Sequence, residues 1–167
     1  MTGAVVWLTG LPASGKSTLA AHLRTRLAPL TPCVVLDSDE VRAALGALAY
    51  GGDARDAFYA ALGQLAAVLA RQGVVVIVAA TAPCRAHRDA ARAVAPAFLE
   101  VWVRTPRAVC EARDPKGLYA RAQDGDPALA TLPGVGAAYE PPVAPDVIAD
   151  GGTDEAALAA LVARLAA

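Results

Sequence analysis

The strongest constraint on the fold is an octapeptide, Gly10-Leu11-Pro12-Ala13-Ser14-Gly15-Lys16-Ser17. It lies between an apolar run at residues 4–9 and a stretch whose Leu19, Leu23 and Leu27 recur at helical spacing. It fits G-x-x-x-x-G-K-[ST] at every fixed position, in the strand, loop and helix setting that the pattern needs. Gly10 and Gly15 carry no Cβ, so the loop can wrap with its backbone N–H groups inward, at the positive end of a helix beginning near Lys16. Such a ring suits the β-phosphate of a nucleotide. Lys16 adds a point charge for the β and γ oxygens, and the Ser17 hydroxyl is placed to ligate Mg²⁺.

The rest of the chain agrees with that start. Short apolar runs at residues 33–36, 74–80, 98–103 and 147–149 alternate with segments of helical period, the pattern of βαβ units. The expectation is an α/β fold in three layers, a mostly parallel five-stranded sheet flanked by helices. Phe58, Leu62, Leu65 and Leu69, and later Leu158, Leu161, Val162 and Leu165, read as inner helix faces. With 167 residues the chain has the length of one domain, residues 1–167. Residues 124–145 hold five prolines and three glycines, which predicts a long irregular surface loop of the kind that serves as a lid.

Composition removes several classes. With 56% hydrophobic and 19% charged residues, the chain is not globally disordered. A net charge of -1 leaves no basic excess for a nucleic-acid backbone, so no nucleic-acid partner is expected. No apolar run approaches the roughly 18–20 residues that cross a bilayer, so no membrane partner is expected. Nor does a cationic region precede the first apolar run, and the expected location is cytoplasmic. Cys33, Cys84 and Cys110 have no Cys or His partner at zinc-site spacing and read as free buried thiols.

Leu36-Asp37-Ser38-Asp39-Glu40-Val41-Arg42 follows the second predicted strand, so its carboxylates emerge at the sheet edge that carries the phosphate loop. The third strand ends without an acidic residue, and Asp37 or Asp39 must therefore assist Mg²⁺ while the other orients an attacking hydroxyl and takes its proton. Asp39 is assigned the second task, with Asp37 and Ser17 toward the metal. Arg42, three residues on, would share a helix face with Asp39 and bind an anionic group of the acceptor. The same residue types also suit a helix N-cap. Thirteen of the fifteen basic residues are Arg, which singles out Lys16 and Lys116 as sites that need a compact ammonium. Arg85, Arg88 and Arg92 stand at helical spacing and read as a solvated face or a basic rim of the cleft.

Two further segments, taken with the two above, name a family. Arg113-Asp114-Pro115-Lys116-Gly117-Leu118-Tyr119, the phosphate loop, the Asp37 segment and Tyr139-Glu140-Pro141-Pro142 together resemble the adenosine 5′-phosphosulfate (APS, adenylyl sulfate) kinase family of P-loop kinases, in family order. The resemblance implies a P-loop NTPase-type fold with a mobile lid at about residues 113–142. It implies ATP and Mg²⁺, with transfer of a γ-phosphoryl to the 3′-hydroxyl of adenylyl sulfate. Gly10, Leu11, Pro12, Ala13, Ser14, Gly15, Lys16, Ser17 and Thr18 would bind ATP, with Lys16 and Asp39 catalytic. Asp39, Arg42, Arg55, Lys116 and Leu118 would meet the acceptor. Tyr50 and Leu132 occupy the places of two aromatics that sandwich the acceptor adenine, and Thr81 and Pro83 those of an I-S-P segment. The family is commonly dimeric, so a homodimer is among the implied partners.

The departures fall on the acceptor side. Phe58 replaces an Asn, Ala60 and Ala61 replace basic residues, Ala82 replaces a Ser, and Leu132 is not aromatic. A related kinase with a changed anionic acceptor, such as a modified cytidylate, is the alternative function. A non-catalytic nucleotide-binding module is the alternative of another class.

Overall fold

The computed structural model describes residues 3–46 and 52–166. Its centre is a five-stranded parallel sheet in the order β2-β3-β1-β4-β5, with β1 at Val5–Thr9, β2 at Cys33–Asp37, β3 at Val75–Ala79, β4 at Phe98–Val103 and β5 at Val147–Ala149. All five strands lie where the apolar runs predict them, to within a residue at each end. Strand alternation divides the core. Val6, Leu8 and Ile77 face α1 (Lys16–Leu27) and α7 (Glu155–Leu165), whereas Val5, Trp7, Val76 and Val78 face α3 (Gly52–Ala70) and α4 (Arg85–Val94). The result is the expected three layers. Leu19, Leu23 and Leu27 are fully buried, each contributing about 1.5–3 kcal/mol of hydrophobic stabilisation.

The topology also makes the cleft. Strands β1 and β3 are neighbours, yet the helices that leave them, α1 and α4, pack on opposite faces of the sheet. A crevice opens between their carboxyl ends, the usual ligand position in open α/β sheets. Across it the Thr9 hydroxyl donates to the carbonyl of Thr81 at 2.6 Å.

Several sequence expectations are corrected here. On α3 the buried face is Phe58, Tyr59, Leu62, Gly63, Ala66, Ala67 and Ala70, and Leu65 is 39% exposed. Small residues win that face because α4 approaches closely: a Cβ on Gly63 would stand 3.0 Å from Ala91 Cβ. Of the arginines of α4, Arg85 and Arg92 are exposed, as a solvated face predicts, and Arg88 is not. Arg88 is 1% exposed and ion-paired to Glu100 on β4 at 2.7 Å, Arg92 reaches the other oxygen of Glu100 at 3.0 Å, and Arg85 Nε donates to Pro141 O. Of the three free thiols only Cys110 is fully buried. The expected surface loop is partly ordered as well, with a 3₁₀ turn at Pro127–Leu129 and a buried Leu132 whose carbonyl accepts from Val135, Gly136 and Ala137.

Candidate functional site

The phosphate loop is built by close approach and positive φ. Ala13 and Gly15 adopt φ 61° and 102°, and a Cβ on Gly10 would lie 2.5 Å from Val103 O. Gly15 leaves the N-terminus of α1 with no side-chain cap and no acidic residue in its first turn, so the helix presents uncapped N–H groups and its positive end. Lys16 Nζ donates to the carbonyls of Gly10 at 3.0 Å and Leu11 at 2.8 Å. Burial pushes the Lys16 ammonium down to a pKa of about 8, against the opposing pull of anionic neighbours that include Asp39 and Asp37. Ser14 Oγ is buried with no hydrogen-bond partner among the described residues. An orphaned hydroxyl, a cationic amine and a free helix end in one concavity fit an anionic polyphosphate.

On the next strand Asp37 does two jobs. Its Oδ2 accepts from Ser17 Oγ at 2.5 Å, and its Oδ1 caps α2 (Ser38–Ala44) by accepting from the Asp39 N–H at 3.0 Å. Capping α2 thus does not draw Asp37 away from Ser17. A Ser hydroxyl and one carboxylate fit Mg²⁺, which takes few protein ligands and completes its shell with phosphate oxygens and water. Among the described residues no group of three or more His, Cys, Asp and Glu forms a metal cluster, and this ion needs none.

Asp39 is ion-paired with Lys116. The segment that carries Lys116 owes its shape to its neighbours. Helix α5 (Arg107–Arg113) ends at Asp114, whose carboxylate accepts from the N–H groups of Tyr119 and Ala120 and so opens α6 (Leu118–Gln123). Gly117 supplies the left-handed turn at φ 64°, and Tyr119 is buried with its hydroxyl donating to Pro12 O at 2.9 Å. The turn between α5 and α6 is thereby laid against the phosphate loop.

These parts enclose a cleft of about 360 Å³. Pro12, Ala13, Ser14, Gly15, Lys16, Ser17 and Thr18 line it, together with Asp37, Asp39, Arg42, Arg55, Thr81, Lys116, Leu118 and Leu132. Gly10 and Leu11 face it only through the carbonyls that hold Lys16. Pro83 is not brought to the cleft: it is buried, and its carbonyl accepts from the Glu140 N–H at 2.8 Å. Tyr50 lies outside the described residues. Arg55 donates to the carbonyl of Thr131 at 2.8 Å, and Leu132 packs with Leu11, Cys110 and Tyr119.

Sequence reasoning missed Tyr59, which lines the cleft, and Gly152, whose added Cβ would stand 2.7 Å from Thr18 Cβ and 2.8 Å from Gly15 O. The Gly151-Gly152 pair directly after the last strand was the available signal for Gly152. Nothing in the pattern around Tyr59 set it apart from the core.

Comparison with known proteins is consistent with this geometry. Residues 2–150 match the sequence profile of a family described as adenylylsulphate kinase. An adenylyl-sulfate kinase of Paraburkholderia xenovorans is 44% identical over 149 residues, covering 87% of this chain and 82% of that protein. One of Myxococcus xanthus is 43% identical, covering 91% and 84%. Among solved structures, an APS kinase of Mycobacterium tuberculosis in complex with AMPPNP and APS superposes with a TM-score of 0.86 at 35% identity, covering 96% of each chain.

Proposed function

Because the chain belongs to the adenylylsulphate kinase family, we propose that its cleft transfers the γ-phosphoryl of ATP to the 3′-hydroxyl of adenylyl sulfate, releasing ADP and 3′-phosphoadenylyl sulfate. One observation carries the assignment of roles. The two carboxylates of a single turn are divided, Asp37 to Ser17 at the start of α1 and Asp39 to Lys116 in the turn between α5 and α6.

The bond from the γ-phosphorus to the β–γ bridging oxygen breaks as a bond to the acceptor 3′-oxygen forms, and the hydroxyl proton passes to the Asp39 carboxylate. Transfer of this kind depends on alignment and charge neutralisation. Lys16 and the N–H groups of the loop hold the phosphates and neutralise charge on the leaving side. Ser17 and Asp37 would hold Mg²⁺, which would supply positive charge to offset the charge that develops on the phosphate oxygens. Arg42 and Arg55 bind the anionic acceptor, and Lys116 orients Asp39 while Leu118 and Leu132 cover it. Residues 113–142 act as the lid, excluding water that would otherwise compete as acceptor. We assign the chain one kinase domain, residues 1–167. A homodimer is the proposed assembly, to be read by light scattering. No helix among the described residues is long and apolar enough to cross a membrane.

The test is ADP release from purified protein with MgATP. Release that depends on adenylyl sulfate supports the assignment. Release with a modified cytidylate instead identifies a changed acceptor, the reading to which Phe58 and Leu132 point, and no release with any acceptor identifies a binding module.

A further inference from the structure

The cleft wall holds an aromatic group that the reaction described above does not use. Tyr59 is 6% exposed and is the single aromatic residue lining the cleft among the described residues. Its ring is backed by two others: the His87 ring lies 4.8 Å away between centroids at an angle of 34°, and Phe58 meets it edge-on at 5.5 Å. His87 comes from α4 and is itself fixed, because its Nε2 lies 2.7 Å from Oδ1 of Asp56, three residues before Tyr59 on α3. Asp56 and Tyr59 thus share a helix face, and both touch the imidazole. Nδ1 of His87 is buried with no partner among the described residues, so a proton on Nε2, facing the carboxylate, leaves no N–H unmet.

The Tyr59 hydroxyl lies in the field of cleft residues assigned to the acceptor, Arg42, Arg55 and Asp39, and the backbone N–H of Ala82 donates to its oxygen. Ala82 is held in turn, at φ 40° with its carbonyl accepting from Arg88 Nη1 at 2.6 Å. Burial raises the Tyr59 pKa against the opposing pull of the Ala82 N–H and the two guanidinium groups, so the hydroxyl keeps its proton at neutral pH. With a donor already on its oxygen, the phenol presents a proton of its own.

We propose that Tyr59 binds the acceptor, its phenol donating a hydrogen bond to an oxygen of the anionic phosphosulfate group, and that His87 and Asp56 are positioning residues that hold its ring. The inference rests on the reading of adenylyl sulfate as the acceptor. The benefit is preorganisation: a donor fixed by packing meets a charged oxygen without a side chain being ordered on binding.

Tyr59→Phe removes the hydroxyl and keeps the ring. KM for adenylyl sulfate should rise about ten- to a hundredfold, the loss of one hydrogen bond to a charged group, while KM for MgATP stays within twofold. His87→Leu should raise the acceptor KM about two- to twelvefold by loosening the ring, and in a Tyr59→Phe background it should have no further effect, a coupling that a merely structural histidine would not show. Asp56→Asn, which still accepts from Nε2, should keep most of the acceptor affinity that Asp56→Ala loses. A Tyr59→Phe enzyme with unchanged acceptor KM, or a His87→Leu effect of equal size in both backgrounds, overturns the proposal. Wild-type protein that releases no ADP with adenylyl sulfate would instead remove the reading beneath it, and the proposal with it.

Discussion

Replacing Arg88 by Met should destabilise the protein by about 3 kcal/mol, because Arg88 is the buried hub that joins α4 to β4 and to the backbone at Ala82 and Glu140. Its Nε donates to Glu100 Oε1 at 2.7 Å, its Nη1 to Ala82 O at 2.6 Å and its Nη2 to Glu140 O at 2.6 Å, with the side chain 1% exposed. Breaking a buried ion pair from one side costs about 3–5 kcal/mol, since the remaining charge stays buried without compensation. Glu100 keeps Arg92 at 3.0 Å, which places the expectation at the lower end of that range. At about 2–4 °C per kcal/mol for a chain of this size, Tm should fall by about 6–12 °C. Urea unfolding at neutral pH measures the change directly, and the double variant Arg88→Met/Glu100→Leu should recover most of it, because an apolar pair carries no desolvation penalty. A single variant that loses less than about 1 kcal/mol would show that the pair behaves as a surface one. A double variant as unstable as the single would show that charge burial is not the cause.

Asp39→Asn removes the proposed proton acceptor and its charge toward Lys116, and should lower kcat far more than it raises KM for MgATP; full turnover would exclude Asp39 as the base. The Lys16 pKa of about 8 predicts that kcat/KM for MgATP is level below pH 8 and falls about tenfold per unit above it, as the required ammonium loses its proton; a profile level to pH 10 would contradict this. Because that value lies below the ordinary lysine range, the same group should oppose folding below pH 8, and the opposition should fade between pH 8 and 10.5. Gly152→Ala forces a Cβ to within 2.8 Å of Gly15 O and should destabilise the fold by about 1–3 kcal/mol while raising KM for MgATP, as measured by urea unfolding and initial rates.

How much was legible depended on how local the determinant is. The strands were readable because each is a short apolar run between turn residues, and all five hold in the structure. On α3 the same reasoning failed at Leu65: residue size is a poor guide to orientation when an adjacent helix packs at alanine and glycine distance. Arg88 on α4 misled for a related cause. Helical spacing identifies a shared face, but what that face meets is decided by Glu100 and by carbonyls from two other segments.

The donor half of the site was determined by the sequence alone, since eight contiguous residues set the loop's backbone and the helix that follows sets its field. Scarcity singled out Lys16 and Lys116, which line one cleft although they are far apart in the chain. Which carboxylate meets which cation, that Tyr119 anchors α6 to Pro12, and that Phe58 lies under Arg42 were decided only by the tertiary structure. Those contacts join segments remote in sequence, and each depends on burial and distance, which no local pattern of residues encodes.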